Sequence, residues 1–81
     1  MTRFHFNIRN GSGFVADEEG RELADAEAAR AEAVKGARSI LADEVLQGRL
    51  DLSGRIEVTD GAGRALFAVA YREAVAVTGE A

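Results

Sequence analysis

Cysteine, proline and tryptophan are absent from this 81-residue chain, and histidine, tyrosine and methionine occur once each. Without cysteine there is no disulfide framework, no thiolate zinc site and no cysteine nucleophile, so the fold must be held by its core or by a partner. A lone histidine is too few for a catalytic or metal-binding pair. Positive charge is also scarce: ten Lys and Arg against fourteen Asp and Glu leave a net charge of -4. With no basic stripe, binding to a phosphate backbone has no global support, and nucleic acid is not an expected partner. Long hydrophobic runs are missing as well. The strongest, Ala65 to Tyr71, falls far short of the roughly 20 residues of a membrane span, so no membrane contact is expected. Met1-Thr2-Arg3 leads directly into an alternating pattern, so neither a secretory nor a transit segment is expected and a cytoplasmic location is.

Apolar residues make up 47% of the chain, but sixteen of them are Ala, which leaves few large side chains for a core. The length fits a single small domain over residues 1–81, with a folded core over 1–73 and a tail over 74–81 that is either an interface or disordered.

Arg3 to Arg9 alternates polar and apolar without a slip, which predicts a strand with Phe4, Phe6 and Ile8 on one face. Asn10-Gly11-Ser12-Gly13 has the composition of a tight reversal, and Phe14 to Asp17 should return antiparallel. Asp25 is placed to cap a helix running to about Gln47, with Gly48 just past its end. At 100° per residue, Ala26, Ala29, Ala33, Ala37, Ile40 and Leu41 form one stripe with Val34 and Val45 on its flank, while Leu46 lies off it. Small residues on that stripe, with Gly36 at its edge, favour a close approach to another element. Arg55 to Thr59 alternates again, Asp60-Gly61-Ala62-Gly63 signals a second hairpin, and Ala65 to Tyr71 is apolar on both faces, as in a central strand.

The chain therefore reads β-β-α-β-β: an α+β fold with a four-stranded, mainly antiparallel sheet and one long helix across one face. If the first and fourth strands are central, the order is 2-1-4-3, as in a β-grasp arrangement. The Ala face of the helix needs bulky partners, which assigns Phe4, Phe6, Ile8, Ile56, Val58, Phe67 and Val69 to the covered side. The open side then carries Arg3, His5, Asn7, Arg9, Arg55, Glu57 and Thr59 around Leu66, Ala68 and Ala70.

The chemistry available is sparse. Arg3, His5, Arg9 and Arg55 form the candidate functional face, and His5 reads first as a solvent-face strand residue. Asp17-Glu18-Glu19-Gly20 lacks the alternating ligands of a calcium loop and reads as a solvated turn. Gly11-Ser12-Gly13 and Gly61-Ala62-Gly63 each join two strands, so no helix N-terminus is there to receive a phosphate. Ser12, Ser39 and Ser53 have no base in view. No catalytic residue, cofactor or metal site is assigned.

The run Arg3 to Gly11, then Asp17-Glu18-Glu19-Gly20 with Leu23, Ala28 to Ala33, and Ile56 to Asp60 with Gly63-Arg64, resembles a domain-of-unknown-function family of short alphaproteobacterial proteins. That resemblance covers nearly the whole chain and implies a bacterial cytoplasmic protein, with no activity or catalytic residues to carry over. The first half is also similar to HicB-type antitoxin domains, which pair a hairpin containing an acidic turn with an Ala-rich helix, and this similarity implies a toxin partner.

The expected function is that of a non-enzymatic protein-interaction or structural module that self-associates as a homodimer, with a further protein partner also open. The alternative is a nucleic-acid-binding or antitoxin-like regulator. The expected interface residues are Leu66, Ala68, Ala70, Val75 and Val77, because an apolar strand and an apolar tail lack an obvious cover within one copy.

Overall fold

The alternating run that opens the chain forms β1, Thr2–Asn10, in a computed structural model that describes residues 1–79. Positions 80 and 81 of the expected tail lie outside the described residues. Two short strands come next, β2 (Gly13–Val15) and β3 (Arg21–Leu23), then the helix α1 (Ala26–Leu46), the hairpin strands β4 (Arg55–Asp60) and β5 (Ala65–Ala70), and a single helical turn, α2 (Tyr71–Ala74). The fold is α+β with an open antiparallel sheet and one long helix.

Capping explains where α1 starts. Asp25 takes an extended conformation, and its carboxylate accepts from the Ala28 N–H at 2.8 Å. Gly48 just past the helix end has φ 83°, the left-handed conformation glycine adopts most readily. Ala29, Ala33 and Ala37 are fully buried and Leu41 nearly so, while Ala26, in the first turn, stays exposed. Small side chains bring the helix axis close to the sheet. A Cβ on Gly36 would lie 3.4 Å from Ile56 Cδ1.

The sheet supplies the bulk that the helix lacks. Phe4, Ile56, Val58 and Val69 are buried beneath α1, and Phe6, Ile8 and Phe67 pack against them. All seven belong to the side expected to be covered.

The strand order departs from the expected 2-1-4-3. β4, not β5, lies beside β1, giving β2-β1-β4-β5, and β3 also pairs with β1. Every neighbouring pair is antiparallel, so the parallel central pair of the β-grasp arrangement is absent from this sheet. The reason lies on the open face, where β4 complements the polar side chains of β1. In the observed register Asn7 faces Glu57 and Arg9 faces Arg55. The Asn7 amide donates to Thr59 Oγ1 at 3.4 Å, and Arg9 Nε donates to the Glu57 carboxylate at 3.0 Å. An Ala-rich neighbour offers no such partners. β5 becomes the edge strand because Ala tolerates water at little cost, so apolarity on both faces did not mean burial on both.

Tyr71 also leaves its expected place at the end of the last strand and opens α2. Its N–H donates to the Gly54 carbonyl at 3.0 Å, and its ring covers Gly54, where an added Cβ would meet Tyr71 Cε2 at 2.5 Å. Both residues are buried. Gly54→Ala should therefore displace the ring and destabilise the protein by about 1–3 kcal/mol, the usual cost of overpacking. Gly61→Ala, which meets nothing within 4 Å, should change stability by less than about 0.5 kcal/mol. Urea unfolding of the two variants checks the contrast.

Candidate functional site

Two short strands share one edge of β1, and the gap between them makes a clamp. The β1–β2 pairing stops at Ile8 with Val15, and the β1–β3 pairing resumes at Phe4 with Arg21. Five connector residues, Ala16 to Gly20, thus lie opposite three residues of β1, His5 to Asn7. The Asp17 side chain fills the missing rung: Oδ2 accepts from the Phe6 N–H and Oδ1 from the Gly20 N–H, each at 3.1 Å. Its own N–H donates to Asn7 Oδ1 at 2.8 Å. Its carbonyl lies 2.6 Å from His5 Nδ1. A carbonyl oxygen can only accept, so Nδ1 carries a proton.

Gly20 closes the connector with φ 70°, and a Cβ there would lie 2.8 Å from the Phe4 carbonyl oxygen. Burial raises the Asp17 pKa. The hydrogen bonds from Phe6 and Gly20, the charge of His5 and the Glu19 backbone outweigh it, holding the carboxyl below its ordinary value of 3.8.

On the polar face of the sheet, Arg3, Arg9 and Arg55 each meet an acceptor within the chain. Arg3 donates to the Glu19 carbonyl at 2.6 Å and lies 3.6 Å from Glu22. Arg9 and Arg55 both converge on Glu57 Oε2, at 3.0 and 2.8 Å. Burial opposes ionisation of Glu57, and the hydrogen bonds from Arg55 and Arg9 prevail, keeping its pKa below 4.5. The Arg9 guanidinium also lies 4.7 Å from the centre of the Phe14 ring. Beside His5 is a hollow of about 360 Å³ walled by Asn7, Thr59, Asp60 and the turn after β4. A larger hollow of about 580 Å³ lies between the acidic connector and α1, next to the Arg21–Glu32 ion pair. Among the described residues, no group of three or more His, Asp or Glu is placed to hold a metal, and no helix is long and apolar enough to cross a membrane.

The expected interface residues fall in two places. Leu66 and Ala68 border a hollow of about 350 Å³ on the open face, with Ala70 further along β5. The edge beside them is guarded: the β4–β5 register shifts between Val58 and Thr59, and Glu73 Oε1 accepts from the outward Ala70 N–H at 2.9 Å. Val75 and Val77 instead line a groove of about 450 Å³ between α1, Leu50 and the segment after α2. Val75 packs against the core, and Val77 is 65% exposed.

Sequence pattern alone misses two features. Asp17 reads there as part of a solvated turn, although an Asp three residues before a Gly, after a polar strand position such as Asn7, is a signal for side-chain capping of a turn. Val45 and Leu50 give no sign of walling a groove, because only tertiary structure places residues 75–78 beside them.

A family described as a domain of unknown function, DUF6894, matches residues 3–72 of the chain. No curated protein and no solved structure matches it.

The depressed Asp17 pKa has a definite consequence for acid stability. A carboxyl whose folded value lies below its unfolded value contributes stability that is full above the unfolded value, near 3.8, and is lost as pH falls through the folded one. Asp17→Asn should lower stability at pH 7 by about 1 kcal/mol, one backbone–carboxylate hydrogen bond partly screened by solvent. The deficit should shrink as the pH falls below 3.8 and the native carboxyl is protonated in its turn. Denaturant midpoints of both proteins across that range check it, and a constant gap at every pH would contradict the clamp.

Proposed function

The chain belongs to the DUF6894 family, and from that premise we propose a non-catalytic protein-interaction module that holds a partner protein in the groove between α1 and residues 75–78. The observation that carries this reading is a cluster of exposed apolar side chains. Val45, Leu50 and Val77 line the groove and are 58%, 52% and 65% exposed, and Leu46, next to Val45 on α1, is 86% exposed. Scattered apolar residues are normal on a surface, whereas a contiguous patch against a groove marks an interaction site. The polar groups support a structural role over catalysis. Both Asp17 oxygens accept from backbone N–H groups, and His5 Nδ1 is held by a backbone carbonyl. The internal partners of Arg3, Arg9 and Arg55 favour this reading over the nucleic-acid-binding or antitoxin-like one, since each paired cation has less to offer a phosphate.

Site-specific photocrosslinking in cells tests the reading. A photoreactive benzophenone side chain at Val77 should give a discrete protein adduct that disappears when Leu50→Asp is added, and the same probe at Ala62, on the β4–β5 turn, should give none. Equal yields at both positions, or no adduct at Val77, would overturn it.

Self-association is a second reading, favoured by Leu66, which is 42% exposed beside the hollow on the open face. The guarded edge of β5 directs such pairing to the face, with Leu66 and Ala68 against a second copy. Light scattering after size exclusion at high micromolar concentration should then show a dimer that Leu66→Glu dissociates, and a monomer under those conditions removes this reading.

A further inference from the structure

We infer that the occupant of the apolar groove is an acidic amphipathic segment of a partner protein, one that presents a stripe of large apolar side chains flanked by carboxylates. This rests on the interaction reading above and adds the chemistry of the partner.

The distribution of unpaired cations carries it. Of the ten Lys and Arg in the chain, five are in ion pairs among the described residues: Arg3, Arg9, Arg21, Arg55 and Arg64. Arg30 lies over the Phe67 ring and Arg72 is on α2. Of the remaining three, Arg38 lines the groove, Arg49 lines the adjoining hollow with Val45 and Leu50, and Lys35 precedes Arg38 by about one turn on α1. Arg38 uses Nε to donate to the Ala74 carbonyl at 2.7 Å, which anchors the side chain and leaves its other N–H groups for a ligand.

Nearby carboxylates form no ion pair with these cations: Glu44 Oε1 accepts from the Asp51 N–H, Glu73 Oε1 accepts from the Ala70 N–H, and Asp51 feels the charge of Arg49 without pairing with it. Asp43 lies roughly 140° around α1 from Arg38. A chain with net charge -4 thus places Arg38 in the wall of an apolar groove and Arg49 beside it. A second copy would bring a like basic rim against this one, whereas an acidic helix completes it. An apolar stripe laid in a groove between flanking charges is a common mode of helix recognition.

The test uses the full chain and two synthetic helical peptides that share one Leu stripe, one flanked by Glu and its twin by Lys, with binding monitored by amide NMR shifts. The Glu peptide should shift Ala42, Val45, Leu50 and Val77 and bind about five- to tenfold more tightly than its twin at low salt, as two or three partly exposed ion pairs allow. That preference should vanish at about 1 M salt, where the screening length is roughly 3 Å. It should reverse in the double variant Lys35→Glu with Arg49→Glu, both at exposed positions. Equal binding of the two peptides overturns the acidic-partner inference and leaves the interaction reading standing. No shift in the groove with either peptide counts against that reading itself. Binding only to vesicles of phosphatidylglycerol and phosphatidylcholine assigns the rim to a lipid surface and also overturns the inference.

Discussion

A single carboxylate closes the edge of β1, and the join between β2 and β3 along that edge depends on it. β1 cannot pair continuously with the β2–β3 stretch, because five connector residues must pass three positions of the strand. Without Asp17 the Phe6 N–H would face an open rung, and an unpaired backbone group away from water costs as much as a lost hydrogen bond. With Asp17 in place, one residue takes up the Phe6 and Gly20 donors, orients Asn7 and accepts from His5 Nδ1. Asn7 then carries the effect across the sheet, donating to the Glu57 carbonyl and Thr59 Oγ1 on β4. The polar face is therefore a connected network, and its principal members are occupied with holding three strands in register.

Much of this architecture was legible because it rests on periodicity. Phe4, Phe6 and Ile8, Ile56 and Val58, and Phe67 and Val69 reveal their covered side through alternation alone. Asp25 and Gly48 mark the helix ends by chemistry that acts within a few residues. Strand order was not legible, since it depends on which polar side chains satisfy one another across strands, and alternation is blind to that. Ala misled for a related reason: in β5 it signalled apolarity without the burial that a larger residue would have demanded. The role of Asp17 was hidden because its partners Phe6 and Asn7 lie ten or more residues away. Alternation puts Arg3, His5, Arg9 and Arg55 on one face, but their acceptors, Glu19, Glu22, Asp17 and Glu57, emerge only from register.

The groove arises from how the helix is matched to the sheet. At 21 residues, α1 is about 31 Å long, whereas the six-residue strands β4 and β5 extend only about 20 Å. Ala29, Ala33 and Ala37 hold the helix close to the sheet, and Leu41 is the last of its residues to be buried. Past that point the strands beneath have ended, and α2 with Val75 wedges under the helix instead, tied to it by Arg38 through the Ala74 carbonyl. One helical turn and a short extended segment are too little to cover the flank of Val45 and Leu46. A shorter helix would have removed that flank at no loss to the core, since every buried residue of α1 precedes it. Beyond Leu41 the helix adds no buried residue, Glu44 ties its last turn to the Asp51 N–H, and the apolar flank of Val45 and Leu46 stays exposed to water.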